Sequence, residues 1–385
     1  MAAKQGFMVI GFDAKRAFSN RSGLGNYSRN LIRILNEYNS DIQSVLFAPK
    51  VESSLFIPSE KHRVVCPSGL KAASGSLWRS FFLSSELSRQ NIQLYHGLSH
   101  ELPFGIDRTG IPSVVTMHDL IFMRYPEFYR ATDRLMYQWK FRYAAKQATR
   151  IIAISEQTRN DLIEFLGVDE EKIQVIYQSC FPTFYQKREV SELEGVSRKY
   201  GLPKEFFLTV GNVEARKNLK NILLGMAWGK IDLPLVVVGK PAAAYPEVQG
   251  IIQKYALESR VHFVPNLDFP DLPAFYQLAL FSVYPSFFEG FGLPVLESQA
   301  SGCPVICSQV SSMPEAGGEG ARYIDPTSPE SIAEAMMEFA FNRDLRMTYR
   351  QKGFENAARF SEPVIAKQLT KLYGETIEQF KNRII

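Results

Sequence analysis

Residues 283–307 read Val-Tyr-Pro-Ser-Phe-Phe-Glu-Gly-Phe-Gly-Leu-Pro-Val-Leu-Glu-Ser-Gln-Ala-Ser-Gly-Cys-Pro-Val-Ile-Cys, and this stretch decides the fold. The apolar runs Leu280–Pro285 and Pro304–Cys307 predict two buried strands. Between them, Pro294 suits the first turn of a helix, where its missing N–H costs nothing, and Gly302 suits the end of that helix. Strand and helix alternate again elsewhere in the chain, which predicts a doubly wound parallel α/β sheet.

Two carboxylates lie in this unit, Glu289 in the loop and Glu297 in the helix. In a continuous helix they would be roughly 12 Å apart, but a loop can fold back and bring Glu289 over the helix N-terminus. Free N–H groups at such an end favour an anion, and Gly290 and Gly292 allow a ligand to approach the backbone. The stretch therefore predicts a site for a phosphate and for a hydroxyl-rich group.

The string Ser286-x-x-Glu289-Gly-Phe-Gly-Leu-Pro-x-x-Glu297 resembles the two-glutamate signature of glycosyltransferase family 4, the glycosyl transferases group 1. Two glutamates at this spacing occur by chance in many proteins, so the whole string carries the resemblance. It implies a GT-B fold, in which two Rossmann-like doubly wound parallel-sheet domains face each other across a cleft. It also implies that Phe291, Gly292 and Leu293 contact the donor.

The length of 385 residues exceeds what one hydrophobic core usually supports and predicts two domains. We predict an N-terminal acceptor domain at 1–185 and a C-terminal donor domain at 186–361, with Pro182–Ser197 as an irregular linker. The resemblance implies that a final helix, 362–385, packs back on the first domain. No segment approaches 18 uninterrupted apolar residues and the N-terminus lacks a basic and apolar leader, so we expect a cytoplasmic protein without a transmembrane helix.

The net charge of +4 is unevenly distributed. Residues 1–185 contain 22 Lys/Arg against 17 Asp/Glu, or +5, and the remainder contains 22 against 23, or −1. The basic excess indicates either an anionic partner, such as a lipid-phosphate acceptor or the inner face of the cell membrane, or simply a solvated face. We do not expect nucleic acid as a partner.

The helix predicted at 131–150 combines aromatic and basic side chains. Such a helix is either an amphipathic core element or a surface that contacts a membrane or an acceptor. Both readings stay open from the sequence.

A glycine motif in the first half of the chain precedes a predicted helix. Gly-Leu-Gly-Asn-Tyr at 23–27 opens a helix after a polar loop, but it lacks the spacing of a dinucleotide-binding fingerprint. The resemblance implies that the N–H of Gly25 faces the donor diphosphate, although the glycines could simply form a loop.

His96-Gly97 and His118-Asp119 each follow a strand, where ligands of doubly wound sheets bind. We therefore predict that both histidines reach the cleft. The resemblance implies that His118 contacts the donor sugar or its reaction centre; a histidine bonded to a core carbonyl is the alternative.

In the second half, the strand Phe206–Val210 leads to Arg216-Lys217-Asn218. The resemblance implies that Lys217 holds the leaving diphosphate and that Arg216 supplies a second positive charge. Many family members carry Arg directly after the glycine, whereas this chain has Asn212 there. Fixed cations stabilise charge that develops on a leaving group; a solvated Arg-Lys pair is the alternative. Asn266 and Leu267, after another strand, are implied to meet the nucleobase.

These assignments predict transfer of a hexose from a nucleotide sugar to a hydroxyl of a glycan or lipid-linked acceptor, with retention at the anomeric carbon. Glu297 would hold the ribose hydroxyls and Glu289 the donor sugar. The chain has no Asp-x-Asp motif, so we expect no metal and no separate cofactor. GDP-mannose is the first choice of donor and a UDP-sugar the second.

Other functions also fit a two-domain scaffold of this kind. One is a nucleotide-sugar epimerase or phosphorylase, although the sequence does not indicate the pyridoxal lysine that a phosphorylase needs. The other is a non-catalytic subunit that binds a nucleotide sugar.

Overall fold

The protein forms two compact units in a computed structural model that describes residues 7–52, 54–68 and 74–384. The first unit comprises Met1–Ser179 together with Glu362–Ile385, and the second comprises Cys180–Ser361. Each unit contains one parallel sheet, and both sheets have the doubly wound strand order that the alternation of strands and helices predicted. None of the helices in the described part of the chain has the length and apolar content needed to traverse a lipid bilayer.

The first sheet has the strand order β3-β2-β1-β4-β5-β6-β7. Its strands are β1 (Met8–Asp13), β2 (Ile42–Phe47), β3 (His62–Val65), β4 (Leu94–Gly97), β5 (Ser113–Met117), β6 (Arg150–Ala153) and β7 (Ile173–Val175). The order reverses between β1 and β4, and the crevice beyond the carboxyl ends of two such strands is where ligands of this sheet type bind.

The second sheet repeats this pattern with the order β10-β9-β8-β11-β12-β13. Its strands are β8 (Phe207–Val210), β9 (Leu235–Val238), β10 (Val261–Val264), β11 (Ser282–Tyr284), β12 (Val305–Ser308) and β13 (Ala321–Ile324). Here the order reverses between β8 and β11. Strands β9, β11 and β12 are buried along their whole length, as parallel strands covered by helices on both faces must be.

Helices connect the strands in both units. The α-helices of the first unit are α1 (Lys15–Ser19), α2 (Gly23–Tyr38), α3 (Gly75–Leu77), α4 (Leu83–Leu87), α5 (Ile121–Arg124), α6 (Ala131–Gln147) and α7 (Glu156–Leu166). Those of the second unit are α8 (Val190–Tyr200), α9 (Leu219–Trp228), α10 (Tyr245–Lys254), α11 (Leu272–Leu278), α12 (Leu293–Ala300), α13 (Met313–Gly317), α14 (Pro329–Phe341) and α15 (Arg343–Ala358). The last helix, α16 (Glu362–Ile384), returns to the first unit.

Shorter helical segments complete the structure. A π-helical turn, Trp78–Phe82, joins α3 to α4. The 3-10 turns are Ile106–Arg108, Pro126–Phe128, Glu170–Lys172, Pro182–Phe184, Ala215–Lys217, Phe269–Asp271 and Gly318–Gly320.

Several predicted elements are confirmed. The strand predicted at Phe206–Val210 is β8, and the helix predicted at 131–150 is α6. Helix α7 begins after Ser155, whose side chain accepts the N–H of Thr158, and ends at Gly167 in the left-handed conformation. The prediction that Pro182–Ser197 is irregular was wrong, because it contains most of α8, which a capping box between Glu189 and Glu192 begins.

A buried polar chain ties α16 to the first sheet. The Tyr373 hydroxyl lies 2.7 Å from His96 Nδ1, and His96 Nε2 lies 2.8 Å from Thr116 Oγ1. Thr116 in turn pairs with the Tyr27 hydroxyl at 3.0 Å. The prediction that His96 reaches a ligand site is therefore wrong: its ring is fully buried, both nitrogens are bonded, and burial lowers its pKa to about 3.

Replacing Tyr373 with Phe tests this link. The change keeps the ring but leaves His96 Nδ1 without its buried partner, so we expect the free energy of unfolding of the first unit to fall by ~1–3 kcal/mol. Urea unfolding measures it. The matched control is Tyr255→Phe on the surface of the second unit, which we expect to leave stability unchanged. Equal unfolding midpoints for the two variants would contradict a stabilising role for these buried hydrogen bonds.

Candidate functional site

The predicted cations and the first glutamate meet at the reversal point of the second sheet. Arg216 and Lys217 lie on the 3-10 turn that follows β8, and Glu289 lies in the loop that follows β11. Because β8 and β11 are parallel neighbours, their carboxyl ends open at the same edge of the sheet. Topology therefore brings together residues that are 72 positions apart in sequence.

One carboxylate oxygen is the centre of this group. Glu289 Oε1 lies 2.5 Å from Lys217 Nζ and 2.6 Å from Arg216 Nη1. The Tyr284 hydroxyl donates to the same oxygen at 2.9 Å, and Lys217 Nζ also contacts that hydroxyl. Two cations and a phenol thus share a single acceptor atom.

The electrostatics follow from this geometry. Burial alone would raise the pKa of Glu289, but the ion pairs with Lys217 and Arg216 outweigh it and lower that pKa to about 2. Burial lowers the pKa of Lys217, and Glu289 opposes the change. Burial would also lower the pKa of Arg216, but the Glu289 charge outweighs it and the pKa is raised. At neutral pH the carboxylate is charged, and the two cations hold it.

Backbone contacts fix the loop that carries Glu289. The hydroxyls of Ser311 and Ser312 each donate to the Glu289 carbonyl at 2.8 Å, and the Glu289 N–H donates to Ser311 Oγ. From the other side, Arg216 Nη1 donates to the Phe288 carbonyl at 3.0 Å. The backbone of this loop is therefore hydrogen-bonded to the segments that follow β8 and β12. These bonds fix the point from which the Glu289 side chain extends.

Gly292 connects this loop to α12, and its position has no room for a side chain. Its φ is +103°, and a Cβ there would lie 2.6 Å from Met313 Cε. Leu293 begins the helix, and the Phe291 ring is buried with its centroid 5.5 Å from that of Phe360. Any contact of Phe291 with a ligand would therefore involve its backbone.

Glu297 lies further along α12 and has a different environment. It is buried, and its Oε2 accepts the Tyr276 hydroxyl at 3.3 Å. Burial raises its pKa to about 7, against smaller opposing effects of Tyr276 and Lys217. The two glutamates of the motif thus differ by several units in pKa, because one has ion-pair partners and the other has a single phenol.

Asn266 and Leu267 lie in the same unit, in the loop after β10 at the edge of the sheet. The Asn266 side chain is exposed and that of Leu267 is half-buried. Neither contacts the group around Glu289 in the hydrogen bonds found among the described residues. Likewise, no cluster of three or more His, Cys, Asp or Glu suited to a metal ion occurs in the described parts of the chain.

His118 belongs to the first unit, directly after β5, and is buried. Its Nε2 lies 2.9 Å from the Leu98 carbonyl, which can only accept, so this nitrogen carries the proton. The ring meets Tyr27 edge-on, with centroids 4.6 Å apart. Burial lowers its pKa to about 4, so the ring is neutral at physiological pH and its Nδ1 is an acceptor.

Gly25 also belongs to the first unit, but its N–H donates to the Ser22 carbonyl at 3.0 Å. The expectation that this N–H is available to a phosphate is therefore not met here. Close packing explains why this position is a glycine: a Cβ would lie 1.9 Å from the Asn20 carbonyl oxygen. It allows α2 to pack closely on the turn that precedes it.

Sequence reasoning missed a second ionic group, at the reversal point of the first sheet. Asp13, at the end of β1, pairs with Arg79 Nε at 2.7 Å, and Arg79 Nη2 pairs with Glu101 at 2.7 Å. Lys140 on α6 also approaches Glu101, at 3.3 Å. The position of Asp13 at a strand end was the available signal; its partners come from segments whose pairing the sequence does not reveal.

Two family models together match most of the chain. Residues 21–179 match the model described as "Glycosyltransferase Family 4", and residues 196–356 match the model described as "Glycosyl transferases group 1". The chain belongs to glycosyltransferase family 4. The match supports the resemblance found in the residues around Glu289 and makes this protein a glycosyltransferase.

Curated relatives of this glycosyltransferase include enzymes of bacterial polysaccharide assembly. The O-antigen chain mannosyltransferase B of Escherichia coli is 28% identical over 274 residues, 70% of this chain and 70% of that protein. The O-antigen chain mannosyltransferase RfbU of Salmonella typhimurium is 27% identical over 58% of this chain and 59% of its own length. The D-inositol 3-phosphate glycosyltransferase of Corynebacterium glutamicum is 25% identical over 81% of this chain and 78% of that protein.

Solved structures share the GT-B fold. Sucrose-phosphate synthase from Thermosynechococcus elongatus superposes with a TM-score of 0.75 at 20% identity, covering 97% of this chain and 100% of that one. HepE of Anabaena, in complex with UDP and glucose, gives 0.72 at 19% identity, covering 96% and 99%. The predicted GT-B architecture is thus confirmed.

Changing Glu297 to Gln tests the burial of this carboxyl. Its pKa rises from an ordinary 4.5 to about 7, so the folded state holds the proton more tightly than the unfolded state. The stability it contributes is present below pH 4.5 and is lost as pH rises through 7. We expect the Gln variant to be more stable than the wild type above pH 7, by up to ~3 kcal/mol, and similar at pH 4.

The measurement is urea unfolding across this pH range, and the control is Glu319→Gln at an exposed position. A Glu297→Gln variant whose stability follows the wild type at every pH would contradict the raised pKa.

Proposed function

We propose that this glycosyltransferase transfers a hexose from a nucleotide sugar to a hydroxyl of a glycan or lipid-linked acceptor, with retention and without a metal ion. The observation that carries the proposal is the convergence of Arg216 and Lys217 on Glu289 Oε1 at the reversal point of the second sheet. Two cations held in a partly buried position, both on Glu289 and one also on the more exposed Glu214, suit a diphosphate.

The donor diphosphate would take over the cations that now hold Glu289. Breaking the bond between sugar and diphosphate places negative charge on the leaving phosphate, and Lys217 and Arg216 stabilise that charge. Each such donor in a preorganised site contributes roughly 3–4 kcal/mol to the transition state. Fixed cations supply what a metal ion supplies in other transferases. Glu289, once released, accepts hydrogen bonds from hydroxyls of the donor sugar.

Glu297 suits the ribose of the donor. Its Oε2 accepts from Tyr276, whereas Oε1 has no partner in the hydrogen bonds of the described residues. A carboxylate whose orientation is fixed by one hydrogen bond can accept both hydroxyls of a vicinal diol. Asn266 and Leu267 would meet the nucleobase through the backbone of their loop.

His118 contributes an acceptor nitrogen in the first unit. Because Nε2 donates to the Leu98 carbonyl, Nδ1 carries the lone pair that a sugar hydroxyl requires. Its lowered pKa keeps the ring neutral, so we assign His118 to hydroxyl binding rather than to proton donation.

The relatives support mannose as the sugar. Two of them are O-antigen mannosyltransferases, which makes GDP-mannose the first choice of donor and a lipid-linked glycan a suitable acceptor. A structural neighbour holds UDP and glucose, so a UDP-sugar is the second choice.

A thermal-shift panel of GDP, UDP and ADP tests the donor. A nucleotide at 100 times its dissociation constant stabilises the folded protein by about 2.7 kcal/mol, which raises the melting temperature measurably. We expect GDP to give the largest shift. A larger shift with UDP would replace GDP-mannose by a UDP-sugar, and no shift with any of the three would contradict the nucleotide site.

Transfer of radiolabelled mannose from GDP-mannose to a lipid-linked glycan tests the reaction. Glu289→Gln removes the charge but keeps the shape, and we expect a loss of transfer of about 100-fold or more, because the sugar hydroxyls lose a charged acceptor and one of its two oxygens becomes a donor group. The matched control, exposed Glu319→Gln, should keep full activity. A fully active Glu289→Gln enzyme would refute the site. A wild type that isomerises the donor or only binds it would refute transfer.

A further inference from the structure

Helix α6 carries large apolar side chains on both of its faces. Phe141, Ala144 and Ala145 are buried in the first unit. On the opposite side, Leu135 is 69% exposed and Trp139 is 56% exposed, one helical turn apart. The buried Phe141 side chain packs α6 against the core of the first unit. Leu135 and Trp139 lie on the other side of the helix and stay exposed.

The exposed apolar surface extends beyond the helix. The Trp139 ring lies 4.9 Å, between centroids, from Phe104, and Phe104 stacks on Phe81 at 5.0 Å. Phe81 and its neighbour Phe82, both on the π turn, are themselves exposed. We call the exposed side chains of Phe81, Phe82, Leu135, Met136 and Trp139 the aromatic patch. Grouped exposed side chains of this size mark a binding surface more often than scattered ones do.

The charge next to the aromatic patch has one sign. The segment 124–146 contains six Lys/Arg against two Asp/Glu. Arg142 and Lys146 continue the exposed face of α6 beyond Trp139, and neither has an ion-pair partner in the described part of the chain. Lys140, by contrast, turns towards Glu101 and is half-buried. Trp, Phe and Leu beside unpaired bases form the composition that binds anionic lipid surfaces, because rings enter the interface while bases meet phosphates.

We propose that the aromatic patch, with Arg142 and Lys146, docks this protein on an anionic lipid bilayer. The first unit then presents the head of a lipid-linked acceptor to its own hydroxyl-binding histidine. This second statement rests on the proposed function. The docking itself does not.

The distance between the two features supports this coupling. Phe141 on the inner face of α6 stacks on His100 at 4.5 Å, and the His100 ring lies 5.0 Å from that of His118. A helix is about 10 Å across, so roughly one helix and one ring separate the proposed bilayer contact from His118. The sugar end of a lipid anchored in the bilayer could reach this distance without leaving the membrane.

Vesicle sedimentation tests the docking. The wild type should bind vesicles of equal parts phosphatidylglycerol and phosphatidylcholine, should bind pure phosphatidylcholine less, and should lose binding as salt rises. Leu135→Ser/Trp139→Ser and, separately, Arg142→Glu/Lys146→Glu should each reduce partition by about tenfold or more. The charge-reversal variant alters no packed side chain, so it keeps the test valid if the apolar variant is unstable.

Matched controls come from the second unit. Trp228→Ser/Phe341→Ser removes side chains that are 51% and 87% exposed, and Lys204→Glu/Lys254→Glu reverses two exposed charges. Both should bind vesicles as the wild type does. Equal binding by patch and control variants, or a wild type that ignores anionic vesicles, would overturn the proposal. So would a dimer by light scattering that the patch substitutions dissolve, since the patch would then bind a second copy.

Brominated lipids give a direct readout of depth. The three tryptophans are Trp78, which is buried, Trp139 and Trp228. In a Trp228→Phe protein, quenching by brominated acyl chains should therefore report Trp139, and its absence on bound vesicles would overturn insertion of the patch. Nucleotide thermal shifts in the patch variants should stay at the wild-type value. The two proposals are therefore tested separately. A patch variant that loses vesicle binding but keeps nucleotide binding supports the docking surface. A wild type that does not bind nucleotide would contradict the proposed function and leave the docking result intact.

Discussion

The shared oxygen of Glu289 is the contact on which the loops at the reversal point of the second sheet depend. Lys217, Arg216 and Tyr284 are all drawn from the ends of β8 and β11 to this single atom. Without the carboxylate, two like charges would lie side by side in a partly buried position and repel each other. Without the cations, burial would raise the pKa of the Glu289 carboxyl, as it raises that of Glu297. The group is stable because its buried charges compensate each other, and the proposed function requires a phosphate to take the place of the carboxylate.

The doubly wound sheet explains why this contact occurs where it does. Only at the reversal point do the segments following two adjacent strands diverge to opposite sides, which leaves a crevice beyond the strand ends. Both units use it: the second for Glu289 and its cations, the first for Asp13, Arg79 and Glu101. In the first unit the ionic group is internally neutralised by two carboxylates and two bases, and the neutral, buried His118 lies apart from it, after the next strand.

The sequence predicted the fold well because its signals were local. Buried strands such as that predicted at Phe206–Val210 and helices such as that predicted at 362–385 depend on short runs of residues, and the structure has both. Contacts between segments that are distant in the sequence were harder to predict. Nothing near His96 in sequence indicates Tyr373, which occupies its Nδ1 from the last helix, and nothing near Glu297 indicates Tyr276. The Gly25 N–H was misjudged because a glycine that permits close helix packing looks the same in sequence as one that binds phosphate.

Titration calorimetry with a nucleoside diphosphate tests the central claim most directly, namely that the cations at Glu289 form a diphosphate site. Lys217→Met removes the ammonium group and keeps the chain length, while Lys220→Met does the same three residues later, where the lysine is half exposed and pairs with Glu247. We expect Lys217→Met to weaken binding by about tenfold or more and Lys220→Met to leave it unchanged. Equal affinities for Lys217→Met and the wild type would contradict it.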